Sequence, residues 1–375
     1  MEFRIISGDS HFVEPPNMWA ERMDKKFRDR APHTVKNVDG KEGEFFVCEN
    51  ITPVPVAGFF GSGKSAEELP QHNKRGFDVA PKSVWDPAER LKEQDRDGVV
   101  AEAMYTSMGM LLFGLKDAEL RASAFTAFND WAAEYVSYNP KRLIGLGAIT
   151  LEDIPAGIAE LKRIAKKGLR GALIWGAPPE DKPYSHSDYD PFWAAASDLN
   201  MPLSLHILTG RKGMGVDFFK DNLALQVSTL HHEVERTLAV FVLGGVLERF
   251  PKLTLVSAEN DVAWMPYFMW RLDFAHGRLG AISSVKLSLN VTETRQNWFE
   301  IPDLFRLAAT LGAHAHQLAD AVAIDRHERV DLENAGLNIA RQDRRGVVAR
   351  EAEAGLGEVV GAEGEELGAF GDLAG

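Results

Sequence analysis

Residues 143–175 read Leu143-Ile144-Gly145-Leu146-Gly147-Ala148-Ile149, then a polar break, then a segment carrying Ile154, Ile158, Leu161 and Ala165, then Gly171-Ala172-Leu173-Ile174-Trp175. The first and last runs are short and apolar, as expected of buried strands. The middle segment repeats its apolar residues at three and four positions, which places them on one helical face. Gly168 closes that helix. Strand, helix, strand with short links makes a parallel unit.

The same rhythm extends in both directions. Upstream, Asp86-Pro87 opens a helix, with Asp86 as N-cap and Pro87 in the first turn. Gly98 ends it, and Val99–Tyr105 is the next strand. A helix then runs from about Asp117 to Tyr138, before Pro140. Downstream, Asp190-Pro191 starts a helix that ends at Asn200, and Pro202–Ile207 is a strand. A long helix is expected from Glu233 to Arg249, then a strand over Leu253–Glu259 and a helix over Trp264–Phe274. With an N-terminal strand at Ile5–His11, six β/α units precede residue 280. A doubly wound sheet is the competing arrangement, but the length favours a (β/α)8 TIM barrel, which places function at the C-terminal ends of its strands. Residues 34–84 break the rhythm and read as an insertion of loops with a hairpin.

Composition bounds the function. The chain has 375 residues, 45% of them hydrophobic and 26% charged, an ordinary globular balance. A formal net charge of -13 argues against nucleic-acid or anionic-membrane partners. Cys48 is the single cysteine, so neither an intrachain disulfide nor a cysteine zinc site is expected. No apolar run reaches the length of a membrane span, and the first residues do not read as a signal peptide. The expectation is a cytoplasmic protein acting on a small molecule, with homo-oligomerisation left open.

Asp9 and His11 close the N-terminal strand. Residues two apart on a strand share a face, so the pair offers an oxygen and a nitrogen to one point. His206 ends another apolar strand, and strand ends converge at one mouth of a parallel barrel. Asp9, His11 and His206 are therefore candidate ligands of a divalent metal. Glu259 ends the sixth strand and is a candidate general base; pairing with an arginine or capping a turn would account for it equally well.

Three other patterns weigh less. His231-His232-Glu233 reads as a solvated helix start, with Glu233 favourable to the helix dipole. His314-Ala315-His316 lies in a helix-like context, where residues two apart diverge. Gly58-Phe59-Phe60-Gly61-Ser62-Gly63-Lys64-Ser65 matches the phosphate-binding G-x-x-x-x-G-K-S pattern. Prolines at 53, 55 and 70 deny it the flanking strand and long helix it needs, so a Gly/Ser loop is expected instead.

Taken together, the motifs resemble a known family. They are Ile6-Ser7-Gly8-Asp9-Ser10-His11-Phe12-Val13-Glu14-Pro15, Trp85–Leu91, Asp97-Gly98-Val99, Asn129-Asp130-Trp131, Pro140–Leu143, Asp190–Trp193, Leu205-His206, Arg249–Leu253 and Ala258-Glu259. Over residues 1–275 the chain resembles the amidohydrolase-related metal-dependent hydrolases, in the branch of aminocarboxymuconate-semialdehyde decarboxylase and the resorcylate-type decarboxylases. The resemblance implies a TIM barrel with one catalytic divalent metal, usually zinc. The family's strand-one pair, His-x-His or Glu-x-His, falls on Asp9 and His11, and its strand-five histidine on His206. Many members carry a catalytic histidine where this chain has Glu259.

The resemblance also implies a strand-eight aspartate in a Trp-x-Ser-Asp-Tyr-Pro-His-like segment, which this sequence lacks. Asp325, between Ala321–Ile324 and His327, is nearest by position. From about residue 290 the composition shifts to Ala, Gly, Arg and Glu, and residues 351–375 read as a disordered acidic tail. The expected organisation is a barrel over 1–290, incomplete at its last strands, and an atypical segment over 291–375. An out-of-frame coding segment would produce such a shift. The leading functional expectation is a metal-dependent hydrolase of a small carboxylate or amide. The alternatives are a non-oxidative decarboxylase of an aromatic or unsaturated acid, and a barrel inactive for want of its last ligand.

Overall fold

The two apolar runs around residues 143–175 form neighbouring parallel strands, β6 (Leu143–Ala148) and β7 (Gly171–Ile174), in a computed structural model that describes residues 5–209 and 223–279. They belong to a six-stranded parallel sheet. Its other strands are β1 (Ile5–His11), β5 (Val99–Tyr105), β8 (Leu203–His206) and β9 (Leu255–Ala258), in the order β1-β5-β6-β7-β8-β9. The main intervening helices are α1 (Pro87–Asp97), α2 (Ala118–Ser137), α3 (Ile154–Lys166), α4 (Asp190–Asp198) and α5 (His231–Leu243), with α6 (Met265–Leu279) after β9. Sequential parallel strands joined by helices are the open part of a (β/α)8 barrel. The expected fold class is thus seen in its first six units. The expected boundary at 290 and the segment beyond it lie outside the described residues.

The caps form as their residues dictate. The Asp86 carboxylate accepts from the Ala88 and Glu89 amides, and Asp117 does the same for Glu119 and Leu120. Gly98, at φ 72°, ends α1 in the left-handed conformation. Strand β6 is glycine-rich because helices close over it. A Cβ on Gly147 would lie 2.6 Å from Ile164 Cδ1 and 3.0 Å from Asn129 Oδ1. Buried Asn129 ties α2 to this strand, accepting from the Ala148 amide at 2.7 Å and donating to the Ala148 carbonyl at 3.0 Å.

One expectation needs correcting. The long helix over Glu233–Arg249 is broken: α5 ends at Leu243, and only a short turn, Val246–Arg249, follows. Gly244-Gly245 interrupts it, with Gly245 at φ 71°. Residues 34–84 contain the expected hairpin, extended by one further short strand. Strands β2 (His33–Val38), β3 (Lys41–Val47) and β4 (Val54–Pro55) form a separate antiparallel sheet. The Gly58–Ser65 motif follows the two-residue β4 rather than a parallel strand, and the next α-helix spans only Leu69–Asn73. That geometry is not a phosphate-binding loop.

Apolar burial holds the helices onto the sheet and onto one another. Phe12 packs edge-on against Phe128, Trp131 and Tyr135 of α2. A second aromatic cluster joins Tyr184, Tyr189, Trp193 and Phe241. One buried ion pair sets how α1 sits on the sheet. Arg90 grips Glu102 of β5 in a two-pronged contact at 2.7 and 2.9 Å, and Gln94 and Ser10 donate to the same carboxylate. Burial by itself would raise the Glu102 pKa; Arg90 and these donors outweigh it and hold the carboxyl below its usual range.

Candidate metal centre

Asp9 and His11 sit at the C-terminal end of β1, on one face as their spacing requires. The strand reaches them through a bulge. Between the Ser7–Glu102 and Ser10–Met104 pairs, β1 advances three residues while β5 advances two. Bulges of this kind re-aim side chains beside functional sites. His206 is the last residue of β8 and is buried, and Glu259 is the first residue after β9, with its side chain more than half exposed. Glu259 stands at φ 54° and Leu208 at φ 66°. Left-handed backbone is costly for such side chains and collects where a site demands it.

These four side chains converge. Asp9, His11, His206 and Glu259 each offer an oxygen or nitrogen, and all four atoms lie within 4.8 Å of one another. His11 Nε2 is 3.4 Å from Asp9 Oδ1, His206 Nε2 is 3.5 Å from the same oxygen, and His206 Nε2 is 3.6 Å from Glu259 Oε2. A direct charge-assisted hydrogen bond would be shorter, roughly 2.7–2.9 Å. Ligands about 2.1 Å from one tetrahedral ion stand about 3.4 Å apart. The observed spacing therefore suits an ion held between the groups better than groups bonded to each other. Asp9 Oδ1 and His206 Nε2 are also buried without a hydrogen-bond partner. Buried polar atoms are rarely left so, and a cation would satisfy both.

The remaining contacts orient the rings. His11 Nδ1 faces the Thr106 carbonyl at 3.1 Å, and His206 Nδ1 faces the Ile207 carbonyl at 2.9 Å. A carbonyl only accepts, so each Nδ1 carries a proton, and it is in the neutral ring that Nε2 is left with its lone pair toward the site. Tyr105 lies beneath, its ring 5.1 Å from that of His206 and its hydroxyl 3.0 Å from Ser204 Oγ. Burial pushes the Tyr105 hydroxyl pKa up to about 12, so it stays neutral at the floor of the site. Burial works to raise the Asp9 carboxyl, but the two imidazoles beside it prevail and hold it well below the carboxylate range. For His11, burial alone would disfavour the charged ring; Asp9 and Glu259 overcome this and raise its pKa.

A second group, His231, His232 and Glu235, lies at the N-terminal end of α5. His231 Nε2 is 3.5 Å from Glu235 Oε1, one helical turn away, and His232 is exposed. An i, i+4 pair at a helix start accounts for this arrangement. His314, His316 and Asp325 lie outside the described residues. The sequence reading missed Thr106 and Tyr105, which only the pairing of β1 with β5 brings to the site. It also gave no role to Glu14, although that residue stands in the first motif.

A family model described as Amidohydrolase matches residues 77–327, well over half of the chain. The chain belongs to the amidohydrolase family. The match takes in His206 and Glu259 and continues past residue 275, where the motif resemblance ends, to include Asp325. Among curated relatives, a 2-amino-3-carboxymuconate-6-semialdehyde decarboxylase from Dictyostelium discoideum is 27% identical over 198 residues, 52% of each chain. A gamma-resorcylate decarboxylase from Polaromonas sp. strain JS666 is 28% identical over 195 residues, 49% of this chain and 58% of the relative. The chain thus spans a little over half the length of these curated relatives. They belong to the decarboxylase branch to which the sequence motifs point. The crystal structure of an amidohydrolase from Mycobacterium avium subsp. paratuberculosis K-10 superposes with a TM-score of 0.58 at 21% identity, covering 75% of this chain and 79% of that one. That likeness extends to the fold.

Proposed function

We propose that this amidohydrolase-family chain is a metal-dependent carboxy-lyase that removes CO2 without oxidation from a small aromatic or unsaturated acid. The observation that carries the reading is the convergence of Asp9, His11, His206 and Glu259 in a chain whose curated relatives are named as decarboxylases. Those names weigh against the hydrolase expected first from the sequence and favour its alternative.

In this reading Asp9, His11 and His206 hold one divalent ion, and zinc suits a set of imidazole and carboxylate donors. Bound there, the ion supplies a positive charge that draws in an anionic substrate and polarises its oxygens. The protein's own groups do the rest. Glu259, the most exposed of the four, would hold the proton exchanged with the substrate carbon. In the reaction the carbon–carboxylate bond breaks, CO2 departs, and a proton takes its place on carbon. Buried Tyr105, held neutral, packs against the His206 ring and carries no charge into the site.

The test is a panel of hydroxybenzoic and unsaturated carboxylic acids incubated with zinc-loaded protein in D2O. The reading predicts CO2 release and one deuterium on the vacated carbon. Cleavage of amide or ester substrates with no CO2 release would restore the hydrolase. Neither activity in a zinc-loaded protein would favour the inactive barrel.

A further inference from the structure

Glu14 is fully buried, three residues beyond His11, and stands apart from the four converging side chains. One carboxyl oxygen, Oε1, is bonded to the Thr106 hydroxyl and accepts from the Gly109 amide at 3.3 Å. The other, Oε2, accepts from the Met108 amide at 3.0 Å. All three partners belong to the turn that follows β5 and opens the short helix Met108–Leu111. The Thr106 carbonyl of that same turn faces His11 Nδ1 at 3.1 Å.

The turn and the end of β5 are also fastened to Phe12, the residue after β1. The Ser107 hydroxyl donates to the Phe12 carbonyl, and the Phe12 amide donates to the Tyr105 carbonyl at 2.8 Å. The fit is closed around the carboxyl group. A Cβ on Gly109 would overlap Thr106 Oγ1 and come within 3.2 Å of Glu14 Oε1. A buried carboxyl is costly, and a polar uncharged side chain could brace a turn at less cost. What this carboxyl gains is three donors gathered from one turn, which fixes the direction of the Thr106 carbonyl.

We propose that Glu14 is a positioning residue for His11. It locks the 106–109 turn so that the Thr106 carbonyl holds the proton of His11 on Nδ1 and leaves Nε2 free as the ligand atom. The proposal rests on the reading of Asp9, His11 and His206 as a metal site, and it adds the support that sets one ligand's tautomer.

Three full-length variants test it: Glu14→Gln, which puts an amide where two acceptors are needed; Thr106→Val, which removes the hydroxyl; and Thr106→Ser, which keeps it. The first readout is the His11 tautomer, from 15N chemical shifts of metal-free protein at alkaline pH, where the ring is neutral. Wild type and Thr106→Ser should show a single tautomer protonated at Nδ1, and the other two a mixture. The second readout is Co2+ affinity by competition with a chromophoric chelator. Losing such a support typically costs 10–100-fold in affinity, so Glu14→Gln and Thr106→Val should weaken binding by roughly that factor and Thr106→Ser by far less.

If Glu14→Gln does not fold, Thr106→Val carries the test. Folded variants with the wild-type tautomer and affinity would overturn the proposal. Wild-type protein that binds no Co2+, while its tautomers respond as expected, would instead overturn the metal reading and leave the coupling of Glu14 to His11 standing.

Discussion

His206 Nε2 lies 3.5 Å from Asp9 Oδ1, although three strands separate β8 from β1 in the sheet. Strands are spaced about 4.8 Å apart, so in a flat sheet four steps would put these residues roughly 19 Å apart. The contact therefore requires the sheet to curl until its strand ends face one another across a mouth. Curvature and candidate site are the same fact seen at two scales. The barrel geometry brings the side chains of residues 197 positions apart in sequence (206 minus 9) to a single point.

Glu259 should matter for turnover more than for metal retention, because its side chain is more than half exposed while His206 is buried. Glu259→Gln preserves size and removes the titrating proton. Decarboxylation by the metal-loaded variant is expected to fall about 10²–10⁴-fold, the usual worth of a proton-transferring group. Metal content, measured on the same sample, should stay at the wild-type level.

The Arg90–Glu102 pair makes stability pH-dependent on the acid side. The folded protein depresses the Glu102 pKa below its ordinary value of 4.5. A depressed carboxyl contributes stability that is fully present above the unfolded pKa and is lost as pH falls through the folded one. Thermal melts of wild type should therefore drop below about pH 4.5, and Glu102→Gln should lose this part of the acid dependence. At neutral pH that variant should be the less stable of the two, because Arg90 is left without its buried partner.

Gly245 is required by its backbone. At φ 71° it terminates what the apolar spacing alone would continue as one helix. Gly245→Ala should cost roughly 1–2 kcal/mol in chemical denaturation, the price of a Cβ in the left-handed region. An unchanged midpoint would show that the break is set elsewhere.

The Gly58–Ser65 loop should not bind nucleotide. Isothermal titration of ATP with magnesium into wild type and Lys64→Ala should give no measurable heat in either. Affinity lost on the substitution would overturn this reading of the loop.

Much of the barrel was legible because β/α units announce themselves through punctuation. Asp86-Pro87, Gly98, Asp117 and Gly168 mark element ends at positions the structure shares to within a residue or two. The break at Gly244-Gly245 was hidden because Val234, Leu238, Phe241, Val242 and Val246 keep helical spacing across it, and periodicity does not register a change of backbone hand. In the insertion, Asp39-Gly40 joins β2 to β3 with both residues at positive φ. That dipeptide is a strong hairpin signal and could have placed the second sheet more sharply. Asp9, His11, His206 and Glu259 were visible as strand-end residues because a parallel barrel maps strand ends onto one mouth. Thr106 and Glu14 were not, since their importance depends on a carbonyl direction and a buried carboxyl, and neither leaves a pattern in sequence.

In the proposed reading Asp9, His11 and His206 form one divalent metal site. Elemental analysis of purified, dialysed full-length protein tests it most directly, with wild type compared against an Asp9→Ala/His206→Ala double variant of matched circular dichroism. Wild type should carry about one zinc-like ion per chain and the variant essentially none. Equal metal in both proteins, or none in wild type after incubation with zinc, would contradict it.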